Sequence, residues 1–236
     1  MTEATETEIT KRVLVVEDDP VIRENIVDML EDEQFEVDAA ESQAQAMELI
    51  EVQLPNLALL DITLSDTPEG GFALCSALRA RSQTIPIVFL TSHANEVDRI
   101  SALRLGADDY LTKDVSLDFV LARVHALFQR MEALTTAVSQ ALKRRGELEI
   151  DDERLTAYWK GERVELTLTQ FWMLRALASN SRKVWTPDEL MQAAKTSVEP
   201  NTVVAHVTQI RRKFQALDGD FASIRTERGA GYRWVP

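Results

Sequence analysis

The sequence predicts an α/β doubly wound domain on a five-stranded parallel sheet, followed by a smaller α+β domain. Three observations carry that expectation. The apolar runs Val13-Leu14-Val15-Val16 and Leu57-Ala58-Leu59-Leu60 are short and continuous, and each stops at carboxylates, Glu17-Asp18-Asp19 and Asp61. Such runs mark parallel strands buried on both faces, whose C-terminal edge is where open α/β sheets bind ligands. Helical patterns alternate with them. Finally, Met1 to Met131 holds 25 acidic and 10 basic residues, whereas Glu132 to Pro236 holds 14 and 16. Two domains with different surfaces, and so different partners, follow from that division.

The elements read in order. After the strand Arg12 to Glu17, Asp19 is placed to cap a helix with Pro20 in its first position and Ile22, Ile26, Met29 and Leu30 on one face. Phe35 to Ala40 alternates as a strand, and a helix from Ser42 turns Ala46, Leu49 and Ile50 inward before Pro55 stops it. Gly70-Gly71 reads as a loop, then Phe72, Leu74, Cys75 and Leu78 line a helix. Ile85 to Leu90 is another buried strand; Glu96 to Leu105 is a helix closed by Gly106, and Asp109 to Thr112 is the last strand, ending at Lys113. Leu117, Leu121, Val124, Phe128, Met131, Val138 and Leu142 share a heptad register, so the final helix either continues past Arg130 or gives way to a flexible linker from Ala133.

In the second half, Leu148 to Ile150, Leu155 to Trp159 and Val164 to Leu166 read as short antiparallel strands. Thr169 is expected to cap a helix burying Phe171, Leu174 and Leu177, and Thr186-Pro187-Asp188-Glu189 carries the signature of a capping box. A third helix from about Pro200 to Leu217 precedes a hairpin at Gly229-Ala230-Gly231. The expected divisions are a disordered acidic tail over 1–11, a first domain over 12–130, a helical linker over 131–145 and a second domain over 146–236.

Composition narrows the functional classes. A net charge of −13 disfavours indiscriminate nucleic-acid binding, although a near-neutral half can still carry a basic face. The single cysteine excludes an internal disulfide. No run approaches the roughly 18 apolar residues of a membrane span, and the polar start is unlike a signal peptide, so a soluble cytoplasmic protein is expected. Clustered carboxylates repel one another unless a hard cation sits between them, which points to a Mg²⁺ site around Asp61.

The Glu17-Asp18-Asp19 cluster, Asp61, Thr91, the string Gly106-Ala107-Asp108-Asp109-Tyr110 and Lys113 together resemble the receiver domain of two-component response regulators, from about Arg12 to Arg130. The resemblance implies that Asp61 takes a phosphoryl group from a phosphohistidine on a sensor histidine kinase. It implies Mg²⁺ held by Asp18, Asp61 and the Thr63 carbonyl, with Glu17 acting through a water. Lys113 and the Thr91 hydroxyl would contact the phosphoryl oxygens, and Tyr110 would turn inward as Thr91 moves. A phosphatase of the haloacid dehalogenase type would want a second Asp two positions after Asp61, where this chain has Thr63. No metabolic enzyme is therefore expected. The chain departs from the family pattern at Lys113-Asp114, where proline usually follows the lysine, and a trans bond is expected there because cis costs about 2.5–4 kcal/mol without proline. The loop after Asp61 is also longer than usual, and His93 follows Thr91 by two positions.

From about Gly146, the strings Glu165-Leu166-Thr167-Leu168-Thr169, Ile210-Arg211-Arg212-Lys213-Phe214 and Gly231-Tyr232-Arg233 resemble the winged-helix DNA-binding domain of the OmpR/PhoB family. On its third helix Asn201, Thr202, Ala205, Thr208, Gln209 and Arg212 can lie on the exposed side, where polar side chains read base edges in the major groove of double-stranded promoter DNA. Arg211, Arg212 and Lys213 are expected on phosphates and Arg228 in the minor groove. The Ala193 to Pro200 connection is shorter than in activators that touch RNA polymerase, leaving both activation and repression open. Family resemblance further implies a phosphorylation-dependent homodimer, with Asp108 facing Arg123 and Asp109 facing Arg130. Arg99 is kept there, but its usual glutamate partner is replaced by Phe119. An alternative is a phosphorylation-independent DNA-binding regulator dimerised through an extended last helix and linker. The strings Gly70-Gly71-Phe72, Lys113-Asp114-Val115-Ser116 and Gly231-Tyr232-Arg233-Trp234 look more narrowly like regulators of proteobacterial dedicated sortase systems and their ChvI-like relatives.

Overall fold

The structure, a computed structural model, describes residues 11–92, 95–135, 143–194 and 200–236. The expected tail, His93, the continuation of the last receiver helix through Val138 and Leu142, and most of the 193–200 connection lie outside the described residues. Strands β1 (Arg12–Val16), β2 (Glu36–Ala40), β3 (Leu57–Leu60), β4 (Ile87–Thr91) and β5 (Asp109–Thr112) form one sheet in the order β2-β1-β3-β4-β5. Every pairing in it is parallel. β3 and β4 are buried at every position, as their unbroken apolar runs require. The chain leaves β1 for β2 on one side and resumes at β3 on the other. This reversal opens a crevice at the C-terminal ends of β1 and β3.

Helices α1 (Pro20–Asp32), α2 (Gln43–Val52), α3 (Gly70–Arg81), α4 (Glu96–Leu105) and α5 (Leu117–Thr135) connect and follow these strands. Asp19 caps α1 by accepting from the Val21 and Ile22 amides, and Gly106, at φ 102°, closes α4. Gly70 and Gly71 begin α3 rather than forming a loop. On α5 the inward face carries Val120, Val124, Leu127 and Phe128, while Leu117 is 40% exposed. Of the heptad register read from Leu117, Val124 and Phe128 are buried and Leu121 and Met131 pack against the core, while Leu117 itself lies at the edge of the face. Phe35 and Phe128 stack with centroids 5.2 Å apart.

The second domain opens with an antiparallel sheet of β6 (Lys143–Arg145), β7 (Leu148–Asp151), β8 (Thr156–Trp159) and β9 (Glu162–Val164). Residues 143–145, expected in the linker, pair with β7, and β9 begins two residues earlier than its apolar residues indicated. Helices α6 (Leu168–Ser179), α7 (Pro187–Ala193) and α8 (Pro200–Leu217) follow, then the hairpin β10 (Ile224–Glu227) and β11 (Gly231–Trp234). Thr186 forms the expected capping box with Glu189. The cap of α6 is Thr167, in a capping box with Gln170, so Thr169 lies within the first turn. Trp159, Phe214, Phe221 and Trp234 form an aromatic core, with Phe214 and Phe221 centroids 4.5 Å apart. Gly231 admits this packing because a Cβ there would lie 2.0 Å from the Trp185 carbonyl oxygen.

The two domains touch. α8 packs along α4, and at the same boundary the Thr169 amide donates to Asp108 Oδ1 at 2.9 Å.

Candidate functional site

Four charged side chains meet at the C-terminal edge of β1, β3 and β5. Glu17 and Asp61 are buried, Asp18 is half-buried, and each offers a carboxylate oxygen within 4.8 Å of the others. Lys113, delivered by the end of β5, donates to Asp61 Oδ2 at 2.6 Å and to Glu17 Oε1 at 2.8 Å. Asp61 Oδ1 accepts from the Ile62 amide at 2.6 Å. Arg23 on α1 donates to the carbonyls of Glu17 at 2.7 Å and Asp18 at 3.2 Å, fixing the loop that carries both acids. Thr63 lines the same open pocket with Ser65, Ser92 and Ile22.

The electrostatics show how tightly the pocket is balanced. Burial pushes the Glu17 carboxyl up, against the opposing hydrogen bond and charge of Lys113. Burial alone would pull Lys113 down, but its hydrogen bonds and charge interactions with Asp61 and Glu17 together hold it above the ordinary lysine value. The donors that converge here are all hard oxygens bearing surplus negative charge. That set fits Mg²⁺ and fits a soft metal poorly. α3 starts within contact of the end of β3: a Cβ on Gly71 would lie 1.9 Å from the Asp61 carbonyl oxygen. Only glycine permits that approach.

The other residues expected at this edge are also present. Thr91 is fully buried at the end of β4. Tyr110 is turned inward, 8% exposed, with its ring 6.5 Å from that of Phe89, and burial pushes its hydroxyl up to about 12. Among the described residues no peptide bond is cis, so Lys113-Asp114 is trans as expected.

On α8 the placements divide. Thr208 and Arg212 are exposed, Ala205 and Gln209 are half-buried, and Arg228 is exposed on the turn of the wing. Nothing is described of the Asn201 side chain. Thr202, expected on the exposed side, is 1% exposed. Lys213 is also turned away from solvent, donating to Gln170 Oε1 at 2.8 Å, and burial pulls its amine down to about 8. Arg211 donates to the Ile224 carbonyl and, at 2.8 Å, to Thr226 Oγ1, so it ties α8 to the wing instead of standing free for phosphates. The physical reason is geometric. Val203, Val207, Ile210 and Phe214 face their own core, while Thr202, His206, Gln209 and Lys213 form a neighbouring stripe at helical spacing. That stripe lies along the side where α4 and α6 pack.

The residues expected at a dimer face lie partly at this same boundary. Asp108 and Arg130 are buried. Asp108 Oδ2 accepts from Arg79 Nη2 at 2.7 Å and from the Ile87 amide at 3.1 Å. Arg130 Nη1 lies 3.5 Å from Thr169 Oγ1, and burial pulls its guanidinium down to about 10. Within the chain Arg123 approaches Asp109, at 3.9 Å, and its guanidinium lies 4.8 Å from the Phe119 ring. Arg99 is half-buried on α4. Sequence reasoning missed Arg79, although an arginine on the apolar face of α3, beside Cys75 and Leu78, was a signal that it has a buried acid to meet.

A parallel sheet presenting an acid triad and a lysine at its switch point, joined to a three-helix domain with a β-hairpin wing, defines a two-component response regulator that acts on transcription. Residues 13–125 match the response regulator receiver domain family, and residues 161–234 match the family described as transcriptional regulatory protein, C terminal. The chain is 33% identical over 237 residues to the transcriptional regulatory protein BaeR of Escherichia coli, covering 99% of this chain and 97% of that one. It is 32% identical to the response regulator MprA of Mycobacterium tuberculosis, covering 94% and 96%. Among solved structures, a RitR mutant superposes with a TM-score of 0.73 at 25% identity, over 95% of this chain and 99% of that one. The response regulator DrrB of Thermotoga maritima, an OmpR/PhoB homolog, gives 0.51 at 25% identity over 97% and 100%. The chain belongs to the OmpR/PhoB family of response regulators. No described helix is long and apolar enough to cross a membrane.

Proposed function

We propose that Asp61 is the phosphoacceptor and that its modification governs assembly on promoter DNA. The observation that carries this reading is the meeting of Asp61, Glu17, Asp18 and Lys113 at one sheet edge. A carboxylate oxygen of Asp61 bonds to the phosphorus of a phosphohistidine on the sensor kinase while the P–N bond breaks and the imidazole leaves. Asp18, Asp61 and the Thr63 carbonyl, with Glu17 behind them, would hold Mg²⁺, which when bound neutralises charge on the phosphoryl oxygens. Lys113 then moves from Asp61 to the phosphoryl oxygens, and the Thr91 hydroxyl donates to them. Tyr110 occupies the space beside Thr91. No acid follows Asp61 at the second position, where Thr63 stands. This favours phosphoryl storage over turnover of small phosphate esters.

The output is a homodimer on double-stranded DNA, with Asn201, Thr208, Gln209 and Arg212 toward the major groove and Arg228 in the minor groove. Asp108 and Arg130 join a dimer face only after the contact with Thr169 is released, because both are covered in the closed arrangement. Arg99, Asp109, Phe119 and Arg123 complete that face. The short 193–200 connection leaves contact with RNA polymerase outside this reading. The motif Lys113-Asp114-Val115-Ser116 and the ending Gly231-Tyr232-Arg233-Trp234 support placement beside the sortase-system and ChvI-like regulators, in a cytoplasmic setting. The test is size-exclusion chromatography with light scattering on wild type and Asp61→Ala, each with and without Mg²⁺ and beryllofluoride. Dimerisation only when Asp61, Mg²⁺ and the mimic are all present supports the reading. Dimers of both proteins under every condition would transfer it to assembly through the extended α5.

A further inference from the structure

We propose that His206 is a proton-sensitive latch between the two domains: α8 rests against α4 only while this imidazole is neutral, and its protonation releases the DNA-binding domain. His206 lies at the centre of the α8 stripe that faces the receiver. It is 0% exposed, and neither ring nitrogen has a hydrogen-bond partner among the described residues. One turn away Thr202 is equally buried, its hydroxyl also without a partner. A polar stripe shut away in this manner is poorly suited to permanent burial and well suited to one of two states.

Burial is the main reason a proton is unwelcome, and the charges around His206 act in both directions. Asp108, just before β5, Arg130 from α5 and Lys213 from α8 itself are the groups near enough to act on His206, and Arg79 from α3 acts in turn on Lys213. Asp108 is committed to Arg79 and to the Ile87 and Thr169 amides. Among the described residues, Asp108 is the one acid that acts on His206. On α7, Asp188 is exposed and the half-buried Glu189 is engaged by the Thr186 amide and Lys183; Arg163 of β9 is exposed, and Arg175 of α6 is bonded to Asp152. On α4, Glu96 and Arg104 are exposed, Arg99 is half-buried, and the half-buried Asp98 accepts from the Asn95 side chain. An imidazolium here would join three cations around one carboxylate already engaged.

Burial, opposed by Asp108 and reinforced by Lys213 and Arg130, pulls His206 down to about 4 in the closed arrangement. Exposed in an open arrangement it returns to about 6.5. The sign follows directly. Above pH 6.5 neither form is protonated and closure is unaffected; between 6.5 and 4 only the open form takes the proton, so closure weakens about tenfold per pH unit. Lys213 keeps its proton throughout that window and contributes no slope within it. Asp109, which burial pushes up, titrates in the opposite sense and is present in both proteins compared below.

The experiment uses the full chain without Mg²⁺ or a phosphoryl mimic, so its outcome is independent of the role of Asp61. Radius of gyration by small-angle scattering is followed from pH 7.5 to 5 for wild type and His206→Gln, alongside NMR titration of the histidine Cε1 protons in wild type. The latch requires the wild type to open as pH falls, with His206 titrating well below the ordinary histidine value, and His206→Gln to lose that response. Equal pH responses in the two proteins, or an ordinary titration of His206 while the domains stay together, overturns it. Should His206→Gln fail to fold, the wild-type titration decides alone.

Discussion

Replacing Asp108 with alanine would remove one carboxylate that serves both domains at once. Its Oδ2 accepts from Arg79 at 2.7 Å and the Ile87 amide at 3.1 Å, both inside the receiver, whereas Oδ1 accepts from the Thr169 amide of the second domain at 2.9 Å. Alanine strips the counter-charge from a guanidinium that is 6% exposed. Breaking one side of a buried ion pair costs about 3–5 kcal/mol. Arg79 retains the carbonyls of Gly106, Ser82 and Ile85, which places this case at the low end, about 3 kcal/mol. The lost Thr169 bond acts only on closure and weakens it by a further 1–3 kcal/mol, roughly 5- to 150-fold. Scanning calorimetry of the full chain reads the first effect as a lower receiver transition, and small-angle scattering at pH 7.5 reads the second as a larger radius. All four tryptophans lie in the second domain, so their fluorescence tests whether that domain stays folded. A receiver transition within about 0.5 kcal/mol of wild type, together with an unchanged radius, would refute the assignment of Asp108 as the shared anchor.

Further outcomes can be checked independently. Gly71→Ala should destabilise the receiver by more than about 3 kcal/mol and abolish phosphoryl-mimic binding, because its Cβ meets the Asp61 carbonyl at 1.9 Å; a soluble variant with normal beryllofluoride response would contradict this. Mg²⁺ affinity should fall on acidification, starting above the ordinary glutamate range. The reason is that the raised Glu17 carboxyl gains a proton there and no longer adds its negative charge behind the direct ligands; calorimetric titrations across pH should show the loss move to lower pH in Glu17→Gln. Arg212→Ala should reduce the slope of log affinity against log salt by about 1 for any DNA sequence. Arg211→Ala should instead loosen the wing, read as a lower transition for the second domain, since its guanidinium holds Ile224 and Thr226.

Much of this was legible before any coordinates. Apolar runs ending in acids placed the parallel strands and the acidic edge, and Asp19, Thr186 and Gly106 marked helix ends. Local pattern failed where the deciding partner was distant. Gly70-Gly71 read as a loop because the sequence does not show the Asp61 carbonyl lying against it. Thr169 read as a cap because its amide partner, Asp108, is 61 residues away. Thr202, Lys213 and Arg211 read as DNA contacts because helical spacing assigns residues to stripes without naming what covers each stripe.

The sequence by itself determined the two domains, the order of their elements and the set of groups able to handle a phosphoryl group, since periodicity and strand-end chemistry are written within a few residues. Only the tertiary structure decided that the recognition helix rests against α4, that Asp108 is bonded to Arg79 and Thr169, and that His206 is sealed among them. Those outcomes depend on contacts between segments 30 to 100 residues apart, which packing alone brings together.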